Sequence, residues 1–444
     1  MSGRFCFNVK RKGAALVLAV AISTAACSRN GGTLSPVAGG GVKPGVEVFL
    51  ERHLDLVEGK RVGLITNPTG TDGLLQSTID LFLANPAVKL VALYGPEHGV
   101  RGNAQAGEHV PFTMDEKYNL PMFSLYGQSF KPDPGMLKNI DAYMRSFDTK
   151  ETGKVPEAAM VDGIDVMIFD IQDVGTRVYT YVATMAYAMQ AAAESGIDFV
   201  VLDRPNPVNG VDMEGPVLEY PKFSSFIGLF PIPERHGMTA GELARLFNDK
   251  FLARKARLTV VPMEGWKREM WFDETGLPWV IPSPNMPTLD TAAVYPGLVA
   301  LEGTNLSEGR GTTKPFELFG APWIDGNELA KTLNGLSLSG VRFREAWFTP
   351  SFSKFQGQLC GGCQVHVTDR EAFRSFAAVL HIIKTVRDAY PGKFEFHSDY
   401  FDKIMGTASV RAALEAGTGV PAILENIRPG LEAFTDLRKP YLIY

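Results

Sequence analysis

Four short apolar runs constrain the fold most: Arg61–Thr66 and residues 88–94, 164–170 and 199–202. Each is rich in β-branched and bulky apolar residues and has the length of a strand buried on both faces. Residues 74–83 and 181–195 lie between them with helical periodicity, and Gly196 stops the second stretch. Strands alternating with helices imply βαβ units, and so a mostly parallel sheet with right-handed crossovers. Each run releases a polar loop: Asn67-Pro-Thr-Gly70, Glu97-His98 after Gly95-Pro96, Gln172-Asp173, and Asp203-Arg204. In a parallel sheet such exits share the edge where ligands bind.

Further elements follow the same wiring. Residues 122–126 and 258–262 read as strands, and Pro134 suits the first turn of a helix. Thr239 and Glu242 form a capping box that opens another helix. From residue 281 the texture changes, first to the Pro-fixed Pro282-Ser-Pro-Asn-Met-Pro287 and then to a polar, glycine-rich stretch at 301–313. Helices at 370–389 and 408–416 mix with strands near Val341 and Gln364. The fold class is therefore α/β: a Rossmann-like, mostly parallel sheet domain over 46–280, followed by a smaller α+β domain over 281–444 that completes a cleft. No Gly-x-Gly-x-x-Gly, P-loop or nucleophile elbow is present, so no dinucleotide or other cofactor is expected. The seven histidines show no metal-ligand spacing, and no metal site is assigned.

Residues 1–27 differ in character. Arg4, Lys10, Arg11 and Lys12 precede a short apolar segment at 13–21, and small residues lead to Cys27. The apolar run is too short to span a membrane and reads as an export signal. Its ending resembles a bacterial lipoprotein signal, which implies lipidation of Cys27. Ser28 in place of Asp favours the outer membrane, facing the periplasm. Residues 28–45 read as a flexible tether. Loss of the four signal cations takes the net charge from −5 to −9. No basic bias suggests nucleic acid. Cys360 and Cys363 precede a strand-like stretch, not a helix, so they read as structural or incidental rather than redox-active.

Carboxylates dominate the candidate chemistry: Glu97, Asp170, Asp173, Asp203, Glu302 and Glu308. Two carboxyl groups flanking a glycosidic bond are the usual tools of glycoside hydrolysis. Glu97, directly after an apolar strand and Pro96, sits where a carboxyl pKa is readily raised, as an acid requires. Arg177, Arg204 and Arg310 suggest an anionic substrate, since arginine forks bind carboxylates. His98 and His236 are candidate donors to sugar hydroxyls or an N-acetyl group. Tyr179, Tyr181, Trp279 and Trp323 are candidate stacking surfaces. Asn285 and Asn305 lie in the polar segments and complete the candidate binding set.

Six motifs then carry a resemblance: Gly95-Pro-Glu-His-Gly99, Phe169-Asp-Ile-Gln-Asp-Val-Gly175, Leu202-Asp-Arg-Pro-Asn-Pro207, Arg235-His-Gly-Met-Thr239, Pro282-Ser-Pro-Asn-Met-Pro287 and the run from Glu302 to Gly311. From Val46 onward the chain resembles the exo-β-N-acetylmuramidase family of peptidoglycan hexosaminidases. The resemblance implies a Rossmann-like domain, a smaller second domain and a cleft between them. It also implies release of terminal N-acetylmuramic acid from the non-reducing ends of peptidoglycan fragments, in cell-wall turnover. The family's catalytic glutamate maps onto Glu97. The second group stays open among Glu308, Asp173 and the substrate's own N-acetyl group. The lactyl carboxylate of N-acetylmuramic acid accounts for arginines in the motif loops. The alternative is a non-catalytic muropeptide- or sugar-binding lipoprotein, which needs no poised carboxylate. A second rival is an enzyme acting on the peptide or acyl groups of peptidoglycan.

Overall fold

The computed structural model describes residues 41–108, 110, 112–126, 130–145 and 163–444. The export signal with Cys27, most of the tether and the charged stretch at 146–156 lie outside the described residues. Seven strands form the main sheet: β1 (Arg61–Thr66), β2 (Lys89–Gly95), β3 (Thr113–Asp115), β4 (Leu120–Ser124), β5 (Val166–Asp170), β6 (Asp198–Leu202) and β7 (Arg257–Val261). Their order is β3-β4-β2-β1-β5-β6-β7. Every pairing is parallel except β3 with β4 at the edge. Helices cover both faces of the central strands, so these strands are unbroken apolar runs instead of alternating ones. The chain enters at β1, moves to β2 on one side and returns to β5 on the other. That reversal opens a crevice at the carboxyl ends of β1, β2 and β5.

The helix Tyr181–Ser195 packs against this sheet and is buried on nearly all sides. It ends where expected. Gly196 adopts φ 66°, and its N–H reaches the Ala192 and Ala193 carbonyls. The capping box at Thr239 is also present, with Thr239 and Glu242 bonding reciprocally at the start of the helix Ala240–Lys250. The helix read from residue 74 begins later, at Thr78. Asp72 holds Leu74 and Gln76 in a turn, and Ser77 caps the helix instead.

A second, antiparallel sheet has the order β8-β10-β9, with β8 (Leu318–Ala321), β9 (Val341–Phe348) and β10 (Cys360–Val367). The helices Gly326–Gly335 and Ser375–Ala389 accompany it. Cys360 and Cys363 are buried free thiols. Three residues apart on one strand, they point to opposite faces and do not meet. The glycines between them have a packing role. A Cβ at Gly361 would overlap the Ile324 carbonyl, and one at Gly362 the Phe319 carbonyl.

The tether ends sooner than the sequence suggests. Val42 is buried with Met263 and Trp266, and Lys43 and Gly45 bond to the Glu264 and Asp203 carbonyls. One apolar side chain and four backbone bonds anchor residues 41–45 to the domain.

Candidate active site

The exit of β2 is a tight, strained turn. A Cβ at Gly95 would lie 2.7 Å from the Val100 nitrogen. His98 and Gly99 follow with φ of 73° and 74°. A non-glycine residue in the left-handed region costs on the order of 1 kcal/mol or more. Here that strain turns Glu97 into a cleft. Thr180, at the N-cap of the helix Tyr181–Ser195, donates to Glu97 Oε2 at 2.8 Å. The Gly107 N–H reaches Oε1 at 3.2 Å. The Tyr126 hydroxyl lies beside Glu97, and burial together with that negative charge pushes its pKa up to about 12.

The cleft holds about 600 Å³ out to its open mouth. Glu97, His98, Tyr179 and Thr180 line one side, and Tyr295, Glu302, Arg310 and Tyr400 line the other. Between them the segment carrying Ser283 and Asn285 is tied to the sheet, because Asn67 and Tyr181 both donate to the Pro282 carbonyl. Arg310 donates through Nε and Nη2 to Glu302 Oε1, at 3.0 and 2.6 Å, while Tyr400 donates to Glu302 Oε2 at 3.0 Å. The surrounding carboxylates raise the Arg310 pKa despite burial, so it stays a cation.

His98 is neutral near pH 7, since burial lowers its pKa. Its Nδ1 sits 2.8 Å from the Ala104 carbonyl, which can only accept, so Nδ1 carries the proton. Nε2 is therefore an acceptor. That corrects the expectation of a donor.

Several expected site residues serve the scaffold instead. Arg177 is 2% exposed and pairs with Glu234 at 2.6 Å. It also donates to the Pro216, Ile232 and Ile404 carbonyls. Arg204 grips Asp170 at 2.6 and 2.9 Å and the Thr71 carbonyl. His236 is fully buried; its Nδ1 accepts from the Met238 N–H, and its Nε2 lies 3.4 Å from Asp173. Asp173 also accepts from Gly175, and neither it nor His236 lines the cleft. Asp203 takes bonds from Thr239, Gly241 and Tyr444, and burial raises its pKa to about 6. Asn305 is bonded to Lys393 and Glu395. Trp279 packs on Phe272, and Trp323 on Tyr390. For Arg177, Arg204, Asp173, Asp203 and His236 the shared cause is burial. Charged and amide groups enclosed by the fold need internal partners, and those partners occupy them.

Glu308 likewise stands behind the cleft wall. It pairs with Lys354 at 3.0 Å and lies 3.6 Å from Arg310. The same Lys354 ammonium bonds to the Leu301, Glu302 and Leu306 carbonyls. Ser353 and Phe355 on either side have φ of 69° and 56°. The β9–β10 loop thus adopts a strained form that drives one lysine into the loop carrying Glu302 and Arg310.

Tyr126, Thr180, Ser283, Tyr295 and Tyr400 were not among the expected site residues. Tyr126 had a signal: β4 runs parallel to β2, so its exit shares the same edge. Thr180 precedes a long helix, and Ser283 lies inside a quoted motif. Tyr295 and Tyr400 sit on ordinary helices and had no signal. Among the described residues, no group of three His, Cys, Asp or Glu side chains is placed to hold a metal ion.

The fold and site define a two-part α/β protein with a carboxylate-lined cleft at the carboxyl edge of its parallel sheet. Family models for the exo-β-N-acetylmuramidase NamZ N-terminal and C-terminal regions match residues 62–154 with 147–290, and 293–444. The chain belongs to the exo-β-N-acetylmuramidase NamZ family. It is 52% identical over 404 residues to the peptidoglycan β-N-acetylmuramidase NamZ of Bacillus subtilis (strain 168), covering 91% of each chain. Crystal structures of two DUF1343 family proteins from Bacteroides fragilis NCTC 9343 share the fold. One has a TM-score of 0.80 at 38% identity, the other 0.70 at 31%. Each comparison covers 91% of this chain and 99% of the other.

Proposed function

We propose that this chain is an exo-acting glycoside hydrolase that releases terminal N-acetylmuramic acid from the non-reducing ends of peptidoglycan fragments. One observation carries the reading. Glu97, on a strained turn at the carboxyl edge of the sheet, faces a polar cleft whose far wall holds Arg310. In this reading residues 46–280 supply the acid and residues 281–444 complete the cleft. Glu97 protonates the glycosidic oxygen, and Tyr126 and Thr180 hold its carboxyl in place. Arg310 receives the lactyl carboxylate.

The second catalytic group is assigned to the substrate. Asp173 and Glu308 stand outside the cleft, and Glu302 is held by Arg310 and Tyr400. The N-acetyl oxygen attacks the anomeric carbon as the glycosidic bond breaks and the departing oxygen takes the Glu97 proton, a known exception to the two-carboxylate scheme. Water, deprotonated by the Glu97 carboxylate, then opens the cyclic intermediate to give free N-acetylmuramic acid. His98 Nε2 accepts the acetamido N–H. Purified protein incubated with an N-acetylmuramic acid–N-acetylglucosamine disaccharide is expected to liberate both sugars. Saturable binding without products, or release of peptide or acetate from muropeptides, would overturn the reading.

Lys354 positions the arginine loop. Lys354→Met is expected to raise KM for the disaccharide about tenfold, with a smaller change in kcat, because the loop loses its central donor. Lys354→Arg should recover part of the loss. A KM equal to wild type in Lys354→Met would remove this role.

We further propose that the chain is exported and held in the outer membrane, facing the periplasm, by a lipid on Cys27. The basic, apolar and small-residue pattern before Cys27 supports this. No described helix is long and apolar enough to cross a membrane. Cys27→Ala should move the protein from the detergent phase to the aqueous phase in a phase-partition assay. Unchanged partition would argue against the anchor.

A further inference from the structure

Beside Glu97 lies a cluster of aromatic side chains that the catalytic assignment does not use. Phe130 and Phe226 stack face to face, with centroids 4.0 Å apart and planes 12° apart. Tyr126 lies 5.6 Å from both rings, and Tyr187 lies parallel to Phe226 at 6.4 Å. All four side chains are only half-buried, and none belongs to the buried core clusters. A tight turn presents Phe226. Ser225 and Gly228 exchange two backbone bonds, at 3.0 and 3.1 Å, leaving Phe226 and Ile227 at the tip. Ile227 enters the cleft wall while Phe226 joins the aromatic cluster. The cluster therefore reaches the cleft at two points: through Ile227, which lines it, and through Tyr126, whose hydroxyl lies beside Glu97.

We infer that this aromatic ledge is the binding site for the leaving-group sugar, an N-acetylhexosamine whose flat apolar face lies against Tyr126 and the face of Phe226 turned away from Phe130. The inference rests on the proposed muramidase reading and extends it. A general acid faces the oxygen of the departing sugar, so the surface next to Glu97 is where that sugar must lie. Flat aromatic faces carry the apolar area such a ligand covers, at low conformational cost. The terminal N-acetylmuramic acid occupies the cleft itself, where Arg310 supplies the charge. No cation is needed on the ledge, because the departing N-acetylglucosamine has no carboxylate.

The test uses the full chain and two ligands: the N-acetylmuramic acid–N-acetylglucosamine disaccharide and free N-acetylmuramic acid. Phe226→Ala is expected to raise KM for the disaccharide by about tenfold, the scale of losing one well-packed aromatic contact. Affinity for free N-acetylmuramic acid should stay within about twofold of wild type. Phe226→Tyr keeps the flat face and should restore KM, whereas Phe226→Leu keeps only apolar bulk and should not. An unchanged disaccharide KM in Phe226→Ala overturns the inference. So does a parallel loss of both ligands that Phe226→Leu rescues, since that would mark simple packing. Failure of wild-type protein to cleave the disaccharide would instead overturn the muramidase reading, and is seen before any variant is made.

Discussion

Glu97→Gln is expected to lower kcat for the disaccharide by about a thousandfold, within the range a positioned general acid contributes. The amide keeps the shape of the side chain and can still accept the Thr180 bond, but it has no proton to give. KM should change little, because Arg310 and the aromatic walls bind the sugar without Glu97. Two measurements check this: steady-state release of N-acetylmuramic acid, and a thermal melt coincident with wild type. Full activity in the variant would dismiss Glu97 as the acid. Tyr126→Phe makes a useful companion, since it removes the hydroxyl beside the Glu97 carboxyl and leaves the proton in place.

The largest stability effect is expected at Arg177, not at the acid. Its guanidinium is buried, pairs with Glu234 and donates to three carbonyls. One of these, Ile404, belongs to the helix Ser398–Met405 that also carries Tyr400. Arg177 thus fastens the start of the Tyr181–Ser195 helix to the opposite wall of the cleft. Arg177→Met is expected to destabilise the fold by about 3–5 kcal/mol, since Glu234 loses its counter-charge. Burial already raises the Glu234 pKa to about 7. Protonation of Glu234 below that pH should therefore soften the loss. Denaturation midpoints at pH 5 and pH 8 check both points, with the smaller deficit expected at pH 5. Pairing Arg177→Met with Glu234→Leu should recover part of the stability, as replacing both charges removes the orphan. A neutral single variant would show that the pair contributes nothing.

These two residues also show what can be read from a linear chain. The turn that carries Glu97 was legible because period and composition marked the strand before it, and Gly95-Pro96 marked its end. The sheet was legible for the same reason. Buried parallel strands are short apolar runs, and each stop signal is local. Thr239 with Glu242 and the glycine after Ser195 are contacts between near neighbours, so they survived into the structure as read. Arg177, Arg204, Asp173 and His236 looked equally functional, because each sits in a motif loop at the same sheet edge. Their partners lie far along the chain: Glu234 and Ile404 for Arg177, Asp170 for Arg204. Nothing local reveals whether a polar side chain at a sheet edge meets solvent or a buried counter-charge.

Local physical chemistry determined the parallel sheet, the edge that carries the candidate site and the family motifs. Tertiary structure decided which polar residues stay available to a ligand. It turned four strand exits into one turn that presents Glu97 to the cleft and three braces. It brought Tyr400 and Arg310 to the cleft that Glu97 faces, with Lys354 behind them, from the other end of the chain. The reason is that hydrophobic period and turn chemistry act over a few residues, whereas burying a charge is settled only by what the finished fold places beside it.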